Sequence, residues 1–188
     1  MTTERTTQIL SEMAGNFAKL HQMEPQIAAA VELIATRLKA GGRIFFCGNG
    51  GSAADAQHLA AELVGRFMLE RAPLSAWALT VNTSALTAIG NDYSYDDVFS
   101  RQLRGLGNAG DVLMGISTSG NSRNVIRAIE AAREIKINVF GMTGETGGAM
   151  AAICDVCLKV PSTSTPRIQE MHIAVGHIIC ELVEAKCA

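Results

Sequence analysis

Aromatic side chains are scarce in this chain, and no one sign of charge dominates it. Phe, Trp and Tyr make up 5% of its 188 residues, while apolar residues as a class make up 48%. Small aliphatic side chains must therefore fill the core, which suits helices packed on a sheet. Sixteen Lys and Arg against 18 Asp and Glu leave a formal net charge of −2. That balance gives no electrostatic footprint for nucleic acid or an anionic membrane surface. No stretch is apolar for long enough to span a bilayer. The opening Met1-Thr2-Thr3-Glu4-Arg5 lacks the apolar core of a secretory signal, and a cytoplasmic protein is expected. No linker, low-complexity tract or internal repeat divides the chain. A single domain over 1–188 is expected, with N-terminal helices over 1–40 and a sheet-and-helix core over 41–188.

Five cysteines are an odd and scattered set, as expected of reduced thiols. Cys154-Asp155-Val156-Cys157 has the spacing of a redox or metal motif. It falls within Ile153–Val160, which reads as a strand. Residues three apart on a strand point to opposite faces, so the two sulfurs are expected to diverge. No second cysteine pair accompanies them, and both the metal and the redox readings are set aside.

Apolar residues at helical spacing run from about Thr6 to Leu38, with Pro25 dividing or beginning a second helix and Gly41-Gly42 ending it. Short apolar strands then alternate with helices. The strands are Arg43–Cys47, Ala76–Val81, Asp111–Ile116, Ile137–Met142 and Ile153–Val160. The helices between them begin near Ala53, Ser84, Asp97 and Asn124. A last helix, announced by Thr165-Pro166, runs to about Lys186 with a wide apolar stripe. This alternation predicts an α/β fold: a doubly wound, five-stranded parallel sheet with helices on both faces.

In such sheets ligands bind at the carboxyl ends of the strands. Two strand-to-helix loops there are small and polar: Gly48-Asn49-Gly50-Gly51-Ser52 and Ser117-Thr118-Ser119-Gly120-Asn121-Ser122. Glycines let the backbone approach a ligand, and free amides at a helix start attract an anion. The second loop adds four hydroxyls, more than one helix cap requires. Neither loop contains lysine. GxxxxGK[ST] is absent, which argues against a nucleotide triphosphatase, and the Gly48 loop lacks the GxGxxG spacing of a dinucleotide site. A small phosphorylated molecule is the expected ligand.

His58 and Glu62 lie four apart on the helix that begins at the Gly48 loop, so they share a face. By spacing alone they suit a solvated pair, an acid–base couple or a metal site equally well. His177, on the last helix, reads equally as a core histidine. Periodicity places Glu170, seven residues before His177, on the same face as it, in preference to Gln169.

The run Ser117–Ser122 resembles the signature of the SIS (sugar isomerase) domain family, in which this loop holds the phosphate of a phosphosugar. Further blocks resemble the bacterial phosphoheptose isomerases of that family: Cys47–Ser52, His58–Leu63, Gly90–Asp92, Gly115–Ser122 and Arg167–His172. The resemblance covers essentially the whole chain and implies a flavodoxin-like SIS fold. It implies an aldose–ketose isomerase acting through an enediol on sedoheptulose 7-phosphate and D-glycero-D-manno-heptose 7-phosphate, for nucleotide-activated heptose and lipopolysaccharide biosynthesis. It implies zinc held by His58, Glu62, Gln169 and His177, with Glu62 as catalytic base and His177 as its acid partner. It implies substrate contacts from Asn49, Gly50, Gly51, Ser52, Glu62, Asn91, Asp92, Ser117, Thr118, Ser119, Ser122 and Gln169, and a homotetramer with sites at subunit contacts. A relative on the same scaffold binds a replication initiator without catalysis. Retention of His58, Glu62, Gln169 and His177 together argues for the enzyme.

Overall fold

The structure, a computed structural model, describes residues 2–188. Helix α1 (Thr2–Lys19) passes through a 3-10 turn at Leu20–Met23 into α2 (Glu24–Lys39). Pro25 sits in the first turn of α2, where its missing N–H costs nothing. Gly41 then takes a φ of 82°, which breaks the helix. The sheet strands are β1 (Ile44–Gly48), β2 (Ala76–Ala78), β3 (Val112–Ile116), β4 (Asn138–Gly144) and β5 (Val156–Val160). Between and after them lie α3 (Gly51–Val64), α4 (Thr83–Asp92), α5 (Ser100–Leu106), α6 (Arg123–Glu134) and α7 (Thr165–Cys187).

All pairings are parallel, in the spatial order β2-β1-β3-β4-β5. This is the doubly wound arrangement the sequence predicts, with the reversal of winding between β1 and β3. Alternate residues of each strand feed the two faces. Ile44, Phe46, Val112, Met114, Phe140, Met142, Leu158 and Val160 meet α2, α3 and α7 on one face. Phe45, Cys47, Leu113 and Val139 meet the α5 and α6 residues Leu103, Val125, Ala128 and Ile129 on the other. Among the described residues no helix is long and apolar enough to cross a membrane.

Two local expectations need correction. The second strand stops at Ala78 rather than Val81, because the chain turns there before α4. The fifth begins at Val156 rather than Ile153, because a 3-10 turn at Ala149–Ala152 occupies the preceding segment. Cys154 therefore lies outside the strand, and the alternation argument does not apply to it. The sulfurs of Cys154 and Cys157 converge instead of diverging. A Cβ on Gly141 would stand 2.6 Å from one and 3.5 Å from the other.

The segment after α3 is held by an ion pair that no motif announces. Glu184, near the end of α7, is fully buried. It accepts hydrogen bonds from the N–H groups of Phe67 (2.9 Å), Met68 (2.6 Å) and Leu69 (2.9 Å). Its remaining partner is Arg71, whose Nε lies 3.1 Å away. Arg71 in turn donates to the carbonyls of Glu62, Leu63 and Gly65 and so satisfies the orphan carbonyls at the end of α3. Burial pushes the Glu184 carboxyl up. Its three N–H bonds and Arg71 more than offset this and hold it below the ordinary carboxylate value. The stabilisation it contributes is present at neutral pH and is lost as pH falls through that lowered value. Removing one partner of such a pair leaves a buried charge unmatched, at about 3–5 kcal/mol. Glu184→Ala should lower the urea midpoint accordingly, whereas the double variant Glu184→Met/Arg71→Met should lose markedly less.

Candidate active site

The polar loops lie at the carboxyl ends of β1 and β3, next to each other at the winding reversal. In the first, Gly50 has a φ of 54° and precedes α3 directly. A Cβ on Gly48 would stand 2.7 Å from the Ser52 carbonyl oxygen, so only glycine permits this tight turn. Ser52 is buried beneath it, and its N–H bonds the Asn49 carbonyl. Gly51 is exposed and lies against the Gln169 carboxamide. A Cβ there would stand 2.8 Å from Gln169 Cδ, so Gln169 of α7 reaches the start of α3.

In the second loop Ser122 precedes α6 in the capping position, yet its side chain makes no cap bond. Its hydroxyl faces Ser117 Oγ at 2.8 Å, and Ser119 Oγ lies 3.5 Å from Ser117 Oγ. The hydroxyls thus form a cluster rather than a helix cap. Gly120 has a φ of 66° and packs against the Gly147–Gly148 backbone. Among the described residues, the N–H groups of Thr118, Ser119 and Ser122 bond to no other group of the chain. Hydroxyls and free amides at a helix start make an anion site without a cation.

A reciprocal amide pair stitches the two loops together. Asn49 Nδ2 donates to Asn124 Oδ1 at 2.9 Å, and Asn124 Nδ2 donates to Asn49 Oδ1 at 2.8 Å. Tyr95 Oη also donates to Asn49 Oδ1. Asn49, expected to contact substrate, therefore has much of its carboxamide already engaged. Asn91 and Asp92 lie exposed in the last turn of α4. Asn91 donates to Asp92 at 2.8 Å, and no hydrogen bond joins either to the two loops.

Further along α3, three side chains converge. His58 Nε2 lies 2.9 Å from His177 Nε2 and 3.1 Å from Glu62 Oε1. Donor atoms of His58, Glu62 and His177 all lie within 4.8 Å of one another. Gly176 makes this possible. A Cβ on it would stand 2.6 Å from Leu59 Cδ2, so α7 can approach α3 closely only where that side chain is missing. The Phe67 ring, whose backbone Glu184 grips, packs on His177 at 5.6 Å between centroids.

Two imidazoles and a carboxylate form a donor set that suits zinc or a similar divalent ion with an open position. Among the described residues Glu170 does not join this group; it pairs with Arg167. One Glu170 oxygen pairs with Arg167 within the first turns of α7, and the other is buried without a partner. Gln169 packs at Gly51, two helical turns from His177 along α7. His172 is a core residue: it is buried, its Nε2 lies 3.1 Å from the Thr143 carbonyl, and burial pulls it down to about 4. A surface cleft of about 580 Å³ lies at the opposite ends of the strands beside Arg37, Arg133 and Lys136 and contains none of these residues.

Sequence reasoning missed Asp55, one turn before His58. One of its carboxylate oxygens is buried without a partner. Burial raises its carboxyl to about 6, partly opposed by His58. The i, i+3 spacing to His58 was the available signal.

Comparison with known proteins places these features in context. The SIS domain family matches residues 10–144. A phosphoheptose isomerase of Rhodospirillum rubrum is 61% identical over 168 residues, covering 89% of this chain and 89% of the relative. One from Akkermansia muciniphila is 56% identical and covers 92% of this chain and 91% of its own length. The solved structure of a phosphoheptose isomerase from Neisseria gonorrhoeae superposes with a TM-score of 0.93 at 48% identity, covering 98% of this chain and 100% of that one.

Between the carboxyl's unfolded value of 3.8 and about 6, the folded chain holds a proton on Asp55 that the unfolded chain releases. Stability of the metal-free protein should therefore fall as pH rises through that window. Asp55→Asn should melt at a higher temperature than the parent above pH 6, with the difference closing towards pH 4, measured by thermal unfolding in chelator.

Proposed function

The chain belongs to the SIS-domain family and, within it, to the phosphoheptose isomerases; on that premise we propose that one end of its site anchors a phosphate while the other moves protons. The enzyme interconverts sedoheptulose 7-phosphate and D-glycero-D-manno-heptose 7-phosphate. The observation that carries the proposed division of labour is the meeting of His58 and Glu62 on α3 with His177 on α7. From Gly51 to His58 the helix rises roughly 10 Å, which suits a substrate whose reacting carbons lie at the opposite end from its phosphate.

In this reading the hydroxyls of Ser117, Thr118, Ser119 and Ser122 and the free amides beside them hold the phosphate. Gly50, Gly51 and Ser52, with Asn49, Asn91, Asp92 and Gln169, contact the sugar chain. Glu62 takes the proton from one of C1 and C2 and returns it to the other. His177 serves as its acid partner, moving the proton between the two oxygens as the enediol forms and collapses. His58, Glu62 and His177 would hold zinc, which would supply Lewis-acid polarisation of the substrate oxygens; Gln169, the fourth ligand that the family resemblance implies, stands at Gly51 two turns away along α7 and would have to swing from there to complete the set.

We also propose a homotetramer. On α1, Leu10 is 58% exposed and Phe17 39%, and on α7 Leu182 is 42% exposed. A second subunit would cover such apolar residues. Five unpaired cysteines favour a cytoplasmic setting.

Purified protein should convert sedoheptulose 7-phosphate to aldose and lose activity in chelator, with zinc restoring it; no conversion with or without zinc would refute the reading. Glu62→Gln should retain the fold and lose at least about 10²-fold in kcat. Ser119→Ala should raise KM about tenfold and leave kcat nearly unchanged, as expected of a contact made equally in the ground and transition states. Sedimentation should give four subunits.

A further inference from the structure

Cys154 and Cys157 are the two thiols that the isomerase reading leaves unused and the fold nonetheless brings together. Both sulfurs fill the space left by the bare Cα of Gly141, at 2.6 Å for Cys154 and 3.5 Å for Cys157 from where a Cβ would stand. Cys157 sits on β5, an edge strand, with its Sγ 3.9 Å from Thr143 Oγ1. Both cysteines are half-buried, so a small reagent can reach them. Cys47 and Cys180, by contrast, are buried.

We propose that Cys154 and Cys157 are a redox-modification site, closed into an intramolecular disulfide by exchange with a low-molecular-weight disulfide of the glutathione class. Cys157 is the attacking sulfur. The neighbouring Cys154 thiol, helped by Thr143 and Lys159, lowers its thiol to about 7 against the opposing effect of burial. A thiol with that value near neutral pH combines thiolate population with nucleophilicity. Its thiolate displaces one thiol from the reagent and forms a mixed disulfide. Cys154, whose own thiol is pushed up by the neighbouring Cys157 and by burial, then gives its proton to solvent and attacks the Cys157 sulfur. The second reagent thiol leaves. The protein has lost two electrons and two protons, and the reagent disulfide has become two thiols.

Closing the bond brings the sulfurs to about 2.0 Å. Pairing with Gly141 holds Cys157 in the sheet, so Cys154 must move. Its N–H is bonded to the Met150 carbonyl, and Met150 belongs to the 3-10 turn that backs the serine loop. In that turn the Met150 N–H donates to the Gly120 carbonyl at 3.0 Å, and the Ala149 N–H donates to Asn121 Oδ1 at 2.9 Å. Oxidation therefore pulls on the support of the Ser117–Ser122 loop. This consequence rests on the reading of that loop as the phosphate anchor; the disulfide itself does not.

The full-length protein, incubated with oxidised glutathione, should lose two hydrogens by intact mass. Peptide mapping without reductant should place the link between Cys154 and Cys157. Cys154→Ser should stop at the mixed disulfide and retain one glutathione on Cys157; Cys157→Ser should form neither product at this site. A wild-type protein that keeps both thiols free, or a Cys154→Ser variant without adduct, overturns the site. In the oxidised enzyme KM for sedoheptulose 7-phosphate should rise several-fold and return on treatment with dithiothreitol. An unchanged KM with the disulfide formed overturns the coupling to the loop. Absence of turnover in both redox states would refute the isomerase reading and leave the mass result standing.

Discussion

A single buried carboxylate holds the two helices that carry His58, Glu62 and His177 in register. Glu184 lies seven residues after His177 on α7, and both face the end of α3. It binds three successive N–H groups of the segment that leaves α3, and Arg71 returns from that segment to satisfy the last carbonyls of the helix. The helix that carries His58 and Glu62 is thereby fixed to the helix that carries His177. A charge this deep persists only when its lone pairs are matched, and here every strong donor comes from the segment being positioned. The ion pair is thus part of the geometry of the site, although neither residue touches the converging donors.

Two glycines set how close the elements come. Gly176 brings α7 onto Leu59 of α3, and Gly120 brings the serine loop onto the Gly147–Gly148 turn. Larger side chains at either place would push the backbones apart, and packed interiors transmit such shifts instead of absorbing them. The serine loop and the His58–Glu62–His177 group therefore rest on one rigid frame. The asparagine pair between Asn49 and Asn124 joins the loops that face each other across the winding reversal. A network of neutral donors there suits a mobile substrate better than a lysine. It offers many directed bonds and leaves no strong unmatched charge when the product departs.

The order of elements, the parallel sheet and the location of both loops were legible in the chain itself. Apolar runs of five or six residues between glycines, and helical stripes between the runs, admit few other folds. The serine loop was legible as more than a helix cap, because Ser122 and its neighbours supply more hydroxyls than a cap needs. His58 and Glu62 were legible as neighbours through their four-residue spacing. Ambiguity remained where meaning depends on contacts distant in sequence. Glu170 and Gln169 are adjacent on one helix, and only tertiary contacts separate them: Glu170 pairs with Arg167, and Gln169 reaches Gly51. Asp55 offered only its i, i+3 spacing to His58, since its unmatched oxygen comes from tertiary burial.

Cys154 and Cys157 illustrate the same boundary. Their spacing is visible in the sequence, but the apolar pattern starts the strand at Ile153, three residues before Val156, and so points the sulfurs apart. A short helical turn, invisible to periodicity, brings them together over Gly141. By itself the sequence determined the fold class, the two loops and the residue types available for chemistry, because periodicity and glycine placement are local properties. The meeting of His177 with His58 and Glu62, the grip of Glu184 and the pairing of the thiols were decided only in three dimensions, because each joins segments that local pattern leaves independent.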